Sequence, residues 1–72
     1  MKNIKQYTSL ELKKLMRQAE PAEGHNIKYD KVTEQVILAF TAPGEGVFYL
    51  LPGNLVATSV KSVEKYLNTI PQ

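Results

Sequence analysis

Gln35-Val36-Ile37-Leu38-Ala39-Phe40 and Val47-Phe48-Tyr49-Leu50-Leu51 contain the longest wholly apolar runs in the chain. Side chains alternate across a strand, so a half-buried strand alternates apolar and polar residues. A run that is apolar on both faces belongs at the centre of a sheet. Thr41-Ala42-Pro43-Gly44-Glu45-Gly46 lies between the two runs and reads as a loop, with Pro43-Gly44 suited to a type II turn. Upstream, Asn26-Ile27-Lys28-Tyr29-Asp30 alternates as a half-buried strand does. Asp30-Lys31-Val32-Thr33-Glu34 then reads as a short hairpin loop in which the Asp30 carboxylate bonds the turn backbone. Downstream, Pro52-Gly53-Asn54 ends the third strand. Leu55-Val56-Ala57 reads either as a fourth strand or as the lead-in to a helix.

A helix is predicted on each side of these strands. Thr8-Ser9-Leu10-Glu11 has the spacing of a capping box, with Thr8 at the N-cap and Glu11 at N3. Tyr7 and Leu12 are placed to form a hydrophobic staple. Leu12, Leu15, Met16 and Ala19 make one apolar stripe, and Pro21 ends the helix at Ala19 or Glu20. Glu20-Pro21-Ala22-Glu23-Gly24 is a polar connector. Near the C-terminus, Thr58 or Ser59 caps a second helix with Val60, Val63, Tyr66, Leu67 and Ile70 on one side, and Pro71 stops it.

The expected fold is α+β, a single two-layer domain over residues 1–72. Its order is helix, three-stranded antiparallel meander, helix, with both helices on one sheet face. That arrangement leaves a second sheet face apolar. Such a face is either a surface for a partner or for self-association, or is covered by connectors and Met1–Tyr7.

Composition narrows the function classes. Leu, Ile, Val and Phe make up 20 of the 72 residues, above the range of disordered chains. There is no cysteine and one histidine, so neither disulfides nor a zinc site can staple the chain. The start of the chain lacks the apolar segment of a signal peptide, and no run approaches the ~20 residues of a membrane span. A cytoplasmic protein with no membrane association is expected. The net charge of +2 is uneven, with +3 in residues 1–20, −2 in residues 21–46 and +1 thereafter.

Catalytic chemistry finds few candidates, and no enzyme, cofactor or metal site is expected. His25 follows a glycine in a connector, without an orienting partner. Ser9, Ser59 and Ser62 suit helix capping and a polar helix face better than nucleophilic attack. Asp30 and Glu34 flank a turn and supply too few oxygens for calcium. Gly44-Glu45-Gly46 lacks the third glycine and the following helix of a phosphate loop. Most of the aromatic residues fall at core or cross-strand positions, and no lysine or arginine interleaves with the Phe48-Tyr49 pair.

The outer face of the first helix carries the strongest functional signal. Leu10, Lys13, Lys14 and Arg17 fall within about a 100° arc opposite the apolar stripe, and Lys2 and Lys5 precede them. An apolar anchor among cations suits an acidic partner surface or phosphates. The expected function is that of a small non-catalytic regulatory or adaptor protein. It binds another protein, associates with itself through the sheet, and comes from a phage or mobile element. A nucleic-acid-binding regulator using the same basic face is the alternative, and a small virion assembly protein the second alternative.

The order helix, three strands, helix is similar to that of the double-stranded-RNA-binding domain. That family opens its second helix with a lysine-rich stretch. Here Ser59-Val60-Lys61-Ser62-Val63 stands in that place with one lysine, so the likeness is one of element order. Ala57-Thr58-Ser59-Val60 with Lys65-Tyr66-Leu67 resembles the last helix of phage head–tail joining proteins. The middle of this chain is longer than the single hairpin of that fold.

Overall fold

The computed structural model describes residues 4–30 and 32–69. Its elements are β1 (Ile4–Gln6), α1 (Ser9–Gln18), β2 (Glu20–Pro21), a 3-10 turn (Glu23–His25), β3 (Ile27–Asp30), β4 (Gln35–Ile37), β5 (Ala39–Ala42), β6 (Gly46–Leu51), β7 (Leu55–Ala57) and α2 (Val60–Asn68). The chain is α+β. Five strands form an antiparallel sheet in the order β1-β7-β6-β5-β2, and β3-β4 form a separate hairpin.

The central run behaves as its composition demands. β6 lies between β5 and β7, with Phe40 opposite Phe48, Ala39 opposite Tyr49 and Leu50 opposite Val56. Alternation then sorts the sheet's side chains into two clusters. Phe48, Val56 and Ala42 pack with Leu12, Leu15, Met16 and Ala19 of α1. Tyr49, Leu51, Ala39 and Ala57 pack with Val63, Tyr66 and Leu67 of α2, and with Ile27, Tyr29 and Ile37 of the β3-β4 hairpin. The helices therefore lie on opposite faces of the sheet. This corrects the expected two-layer arrangement with both helices on one face. The physical reason is that neighbouring Phe48 and Tyr49 are both buried, so each sheet face needs its own cover.

The three-stranded meander is corrected too. Gln35–Phe40 is not one strand: the chain breaks at Leu38, and its halves enter different sheets. Ala39, just past the break, keeps both backbone groups bonded. Its N–H donates to Asn26 Oδ1 at 2.7 Å, and its carbonyl accepts from the Ala22 N–H at 3.0 Å. The Asn26 side chain thus stands in for a strand partner. Leu55–Ala57 is a strand, and Ile4–Gln6 forms the sheet edge against it, with Ile4 packed on the α2-side cluster and Tyr7 on the α1-side cluster.

Local readings fare better. Glu45 N–H donates to the Ala42 carbonyl at 3.0 Å with Gly44 at φ +78°, as a type II turn requires. Asp30 Oδ1 accepts from the N–H groups of Val32 and Thr33 at 2.9 and 3.2 Å. Ser59 caps α2, accepting from the Ser62 N–H at 3.1 Å. The predicted stop at Pro71 lies outside the described residues.

Two measurements test this arrangement. Nuclear Overhauser contacts should connect the Phe48 ring to Leu12 and Met16, and Tyr49 to Val63; a Phe48–Val63 contact would return both helices to one face. Asn26→Ala should cost about 1–3 kcal/mol in urea unfolding, because it strands the N–H of buried Ala39. A cost below about 0.5 kcal/mol, the ordinary range for a surface substitution, would show that the bond does not hold the break.

Candidate functional site

Thr8 and Glu11 fix where α1 begins. The Glu11 N–H donates to Thr8 Oγ1 at 3.1 Å, and the Thr8 N–H donates to Glu11 Oε1 at 3.0 Å. The bond from the Thr8 backbone is the main cause holding the Glu11 carboxyl below its ordinary value of 4.5, with the Thr8 hydroxyl next. Burial opposes this weakly, and nearby Lys5 and Lys14 add to the lowering. Glu11 is thus engaged in capping, next to the cations of the outer face.

The structure brings the four predicted residues together. Leu10, Lys13, Lys14 and Arg17 are all exposed, and Leu10 is 63 % exposed despite its apolar side chain. Lys5 adds a cation at the start of the helix, its Nζ 5.1 Å from the Tyr7 ring centroid. Lys2 lies outside the described residues. Long cationic side chains around one apolar residue can hold a partner's apolar group while their charges engage carboxylates or phosphates.

The two flanks of α1 differ. On one, Glu11, Lys14 and Gln18 face Pro43 and Glu45 of the β5-β6 turn across a shallow groove of about 290 Å³. On the other flank the sheet runs on past the helix. Asn54 Nδ2 donates to Ser9 Oγ at 3.4 Å, tying that flank to the β6-β7 turn. Beyond it stand Leu50 and Phe40, half-buried, and Leu38, 49 % exposed. Leu38 stands two residues before Phe40, which packs on the α1 side, and lines one cleft with it, so it lies on the α1 side. The Leu50 N–H donates to the Leu38 carbonyl at 3.1 Å, continuing the β5-β6 ladder. Pro21, opposite Phe40, completes an apolar shelf. A cleft of about 300 Å³ runs into it between Leu38, Phe40 and Pro21, with Glu23 and Asn26 on its far wall.

Sequence reading finds the helix face but not this shelf. Its signal was the run apolar on both sides, which predicts spare apolar sheet without saying which strand ends stay uncovered. The second sheet face, read either as open to a partner or as covered by connectors and Met1–Tyr7, is covered chiefly by a helix: α1 covers much of one face, while α2 and the β3-β4 hairpin cover the other.

The remaining candidates are dispersed. His25 is exposed in the 3-10 turn. Ser59 and Ser62 bond each other at the start of α2, their hydroxyl oxygens 2.8 Å apart. Bonds from the backbone of Thr33 and then Val32 hold Asp30 below its ordinary value. Among the described residues no three His, Cys, Asp or Glu side chains gather as metal ligands, and no helix is long and apolar enough to cross a membrane. The aromatic side chains are packed: Tyr49 and Phe48 are buried, and Phe40 stacks on Phe48 with ring centroids 6.1 Å apart. Compared with protein-family models, curated proteins and solved structures, the chain matches none.

The lowered pKa values of Glu11 and Asp30 give a pH dependence with a definite sign. Because each folded value lies below the ordinary one, their contribution is present above the ordinary carboxylate values of 4.5 and 3.8. It is lost as pH falls through the lower folded values. The urea midpoint should therefore stay level on the neutral side of 4.5 and fall at lower pH. Glu11→Gln, which can still cap, should flatten part of that fall; an unchanged profile would show that Glu11 does not contribute to it.

Proposed function

We propose that this chain is a small regulatory or adaptor protein that works by binding another protein through the outer face of α1. The observation that carries the reading is Leu10, 63 % exposed and surrounded by exposed Lys13, Lys14 and Arg17. Apolar anchors ringed by cations match a partner that sets an apolar pocket among carboxylates. Packing of the aromatic rings into the two clusters favours a protein partner over stacked bases. His25 is exposed in the 3-10 turn, an open setting that favours binding over general-base work in this reading. Phosphate binding by the same cations is the competing reading.

Fluorescence anisotropy separates the two. Labelled duplex DNA and RNA are titrated with the protein at about 50 and 200 mM salt, the range over which phosphate contacts lose most affinity. The protein reading expects no saturable binding at the lower salt. Binding that falls steeply with salt and disappears in Lys13→Glu, Lys14→Glu, Arg17→Glu would overturn it and make α1 a phosphate-binding helix.

A further inference from the structure

The two faces of the sheet are covered unequally. Five strands spaced about 4.8 Å apart span about 19 Å between their outermost axes, while a helix with its side chains is about 10 Å wide. On one face two elements share that width, α2 and the β3-β4 hairpin. On the other, α1 lies alone and leaves the shelf of Leu38, Phe40, Leu50 and Pro21. The width left over is divided between the groove on one flank of α1 and, on the other flank, this shelf. The shelf is apolar at its floor, and exposed Glu23 stands on its wall.

The same molecule carries the complement of this surface. The outer face of α1 presents one exposed leucine flanked by Lys14 and Arg17. We infer that a second copy of this chain occupies the shelf: Leu10 of each copy seats on Leu38, Phe40 and Leu50 of the other, with Lys14 and Arg17 against Glu23. This rests on the reading of α1 as a protein-binding face and names its partner. A twofold axis makes the contact twice, since in a two-fold dimer residue i meets j and j meets i. The two α1 helices then lie side by side between two sheets, with the Lys13 stem along the seam and its ammonium in water. A stable dimer takes about 800 Å² from each partner. Four shelf side chains cover only part of that area, so the charged walls belong to the contact and the association weakens with salt.

Sedimentation equilibrium from about 5 to 500 µM, at low and high salt, reads the association directly. The wild type is expected to pass from monomer to dimer within this range. Leu10→Asp and Leu38→Asp should each weaken dimerisation at least tenfold while leaving the circular dichroism unchanged, because Leu10 is 63 % and Leu38 49 % exposed. Mixing these two variants should give more dimer than either alone: the intact leucine of one then meets the intact shelf of the other. Arg17→Glu should weaken the dimer, and adding Glu23→Arg should restore it. A wild type that stays monomeric at 500 µM, or a mixture no more associated than its components, overturns the inference. A monomer that still binds no duplex leaves the protein-binding reading of α1 standing.

Discussion

Phe48 and Tyr49 are neighbours on β6, point to opposite sides of the sheet and are both buried. Everything else in the molecule follows from that constraint. A strand buried on both faces cannot sit in a two-layer fold, where one sheet face meets water. In 72 residues the chain has to assemble cover for two faces from two short helices and a hairpin. α1, with 10 residues, and α2, with 9, supply one stripe each. The β3-β4 hairpin supplies the third piece, which is why the chain leaves the sheet at β2 and returns to it only at Leu38. Both backbone groups of Ala39, just past the break, stay bonded: the connector supplies Asn26 Oδ1 for its N–H and the Ala22 N–H for its carbonyl.

The margin for such a fold is narrow. A domain of this length is stable by about 4–11 kcal/mol, and truncating a buried phenylalanine to alanine costs about 3–5. Caps therefore weigh heavily: Thr8 with Glu11, and Ser59 with Ser62, are worth about 1 kcal/mol per N-cap. The Phe40–Phe48 stack ties β5 to β6 on the α1 side, where the cover is thinnest. Stability and incomplete cover meet at this corner. Phe40 packs against the α1 cluster on one side and lines the open shelf on the other.

Local chemistry was legible in the sequence, and the layer arrangement was not. The capping box, the type II turn at Pro43-Gly44, the Asp30 turn and the Ser59 cap each depend on residues within four positions, and each is found. The break at Leu38 depends on Asn26, a dozen residues earlier, so no local pattern marks it. Val36–Phe40 is apolar throughout, and nothing in such a run says where one strand ends and another begins. The side on which each helix packs is likewise a long-range matter, settled by which cluster Phe48 and Tyr49 join. The outer face of α1 was readable because helical period alone defines it. The shelf was not, because it is defined by what the helix fails to reach.

How this sheet can associate is limited by its edges. β2 has two residues and one of them is Pro21, which has no N–H to offer a further strand. β1 has three, with Lys5 in the middle. Short edges carrying proline or lysine resist strand addition. Contact through backbone bonds is therefore the weaker route, and the surfaces left are made of side chains. A lone exposed leucine is common on a folded chain and calls for no explanation. Here two stand out, Leu10 on the helix ridge and Leu38 on the floor beside it, one among cations and the other near the Glu23 carboxylate. Ridge and floor differ in height by the thickness of a helix, about 10 Å. They cannot cover each other within one molecule, but they can between two.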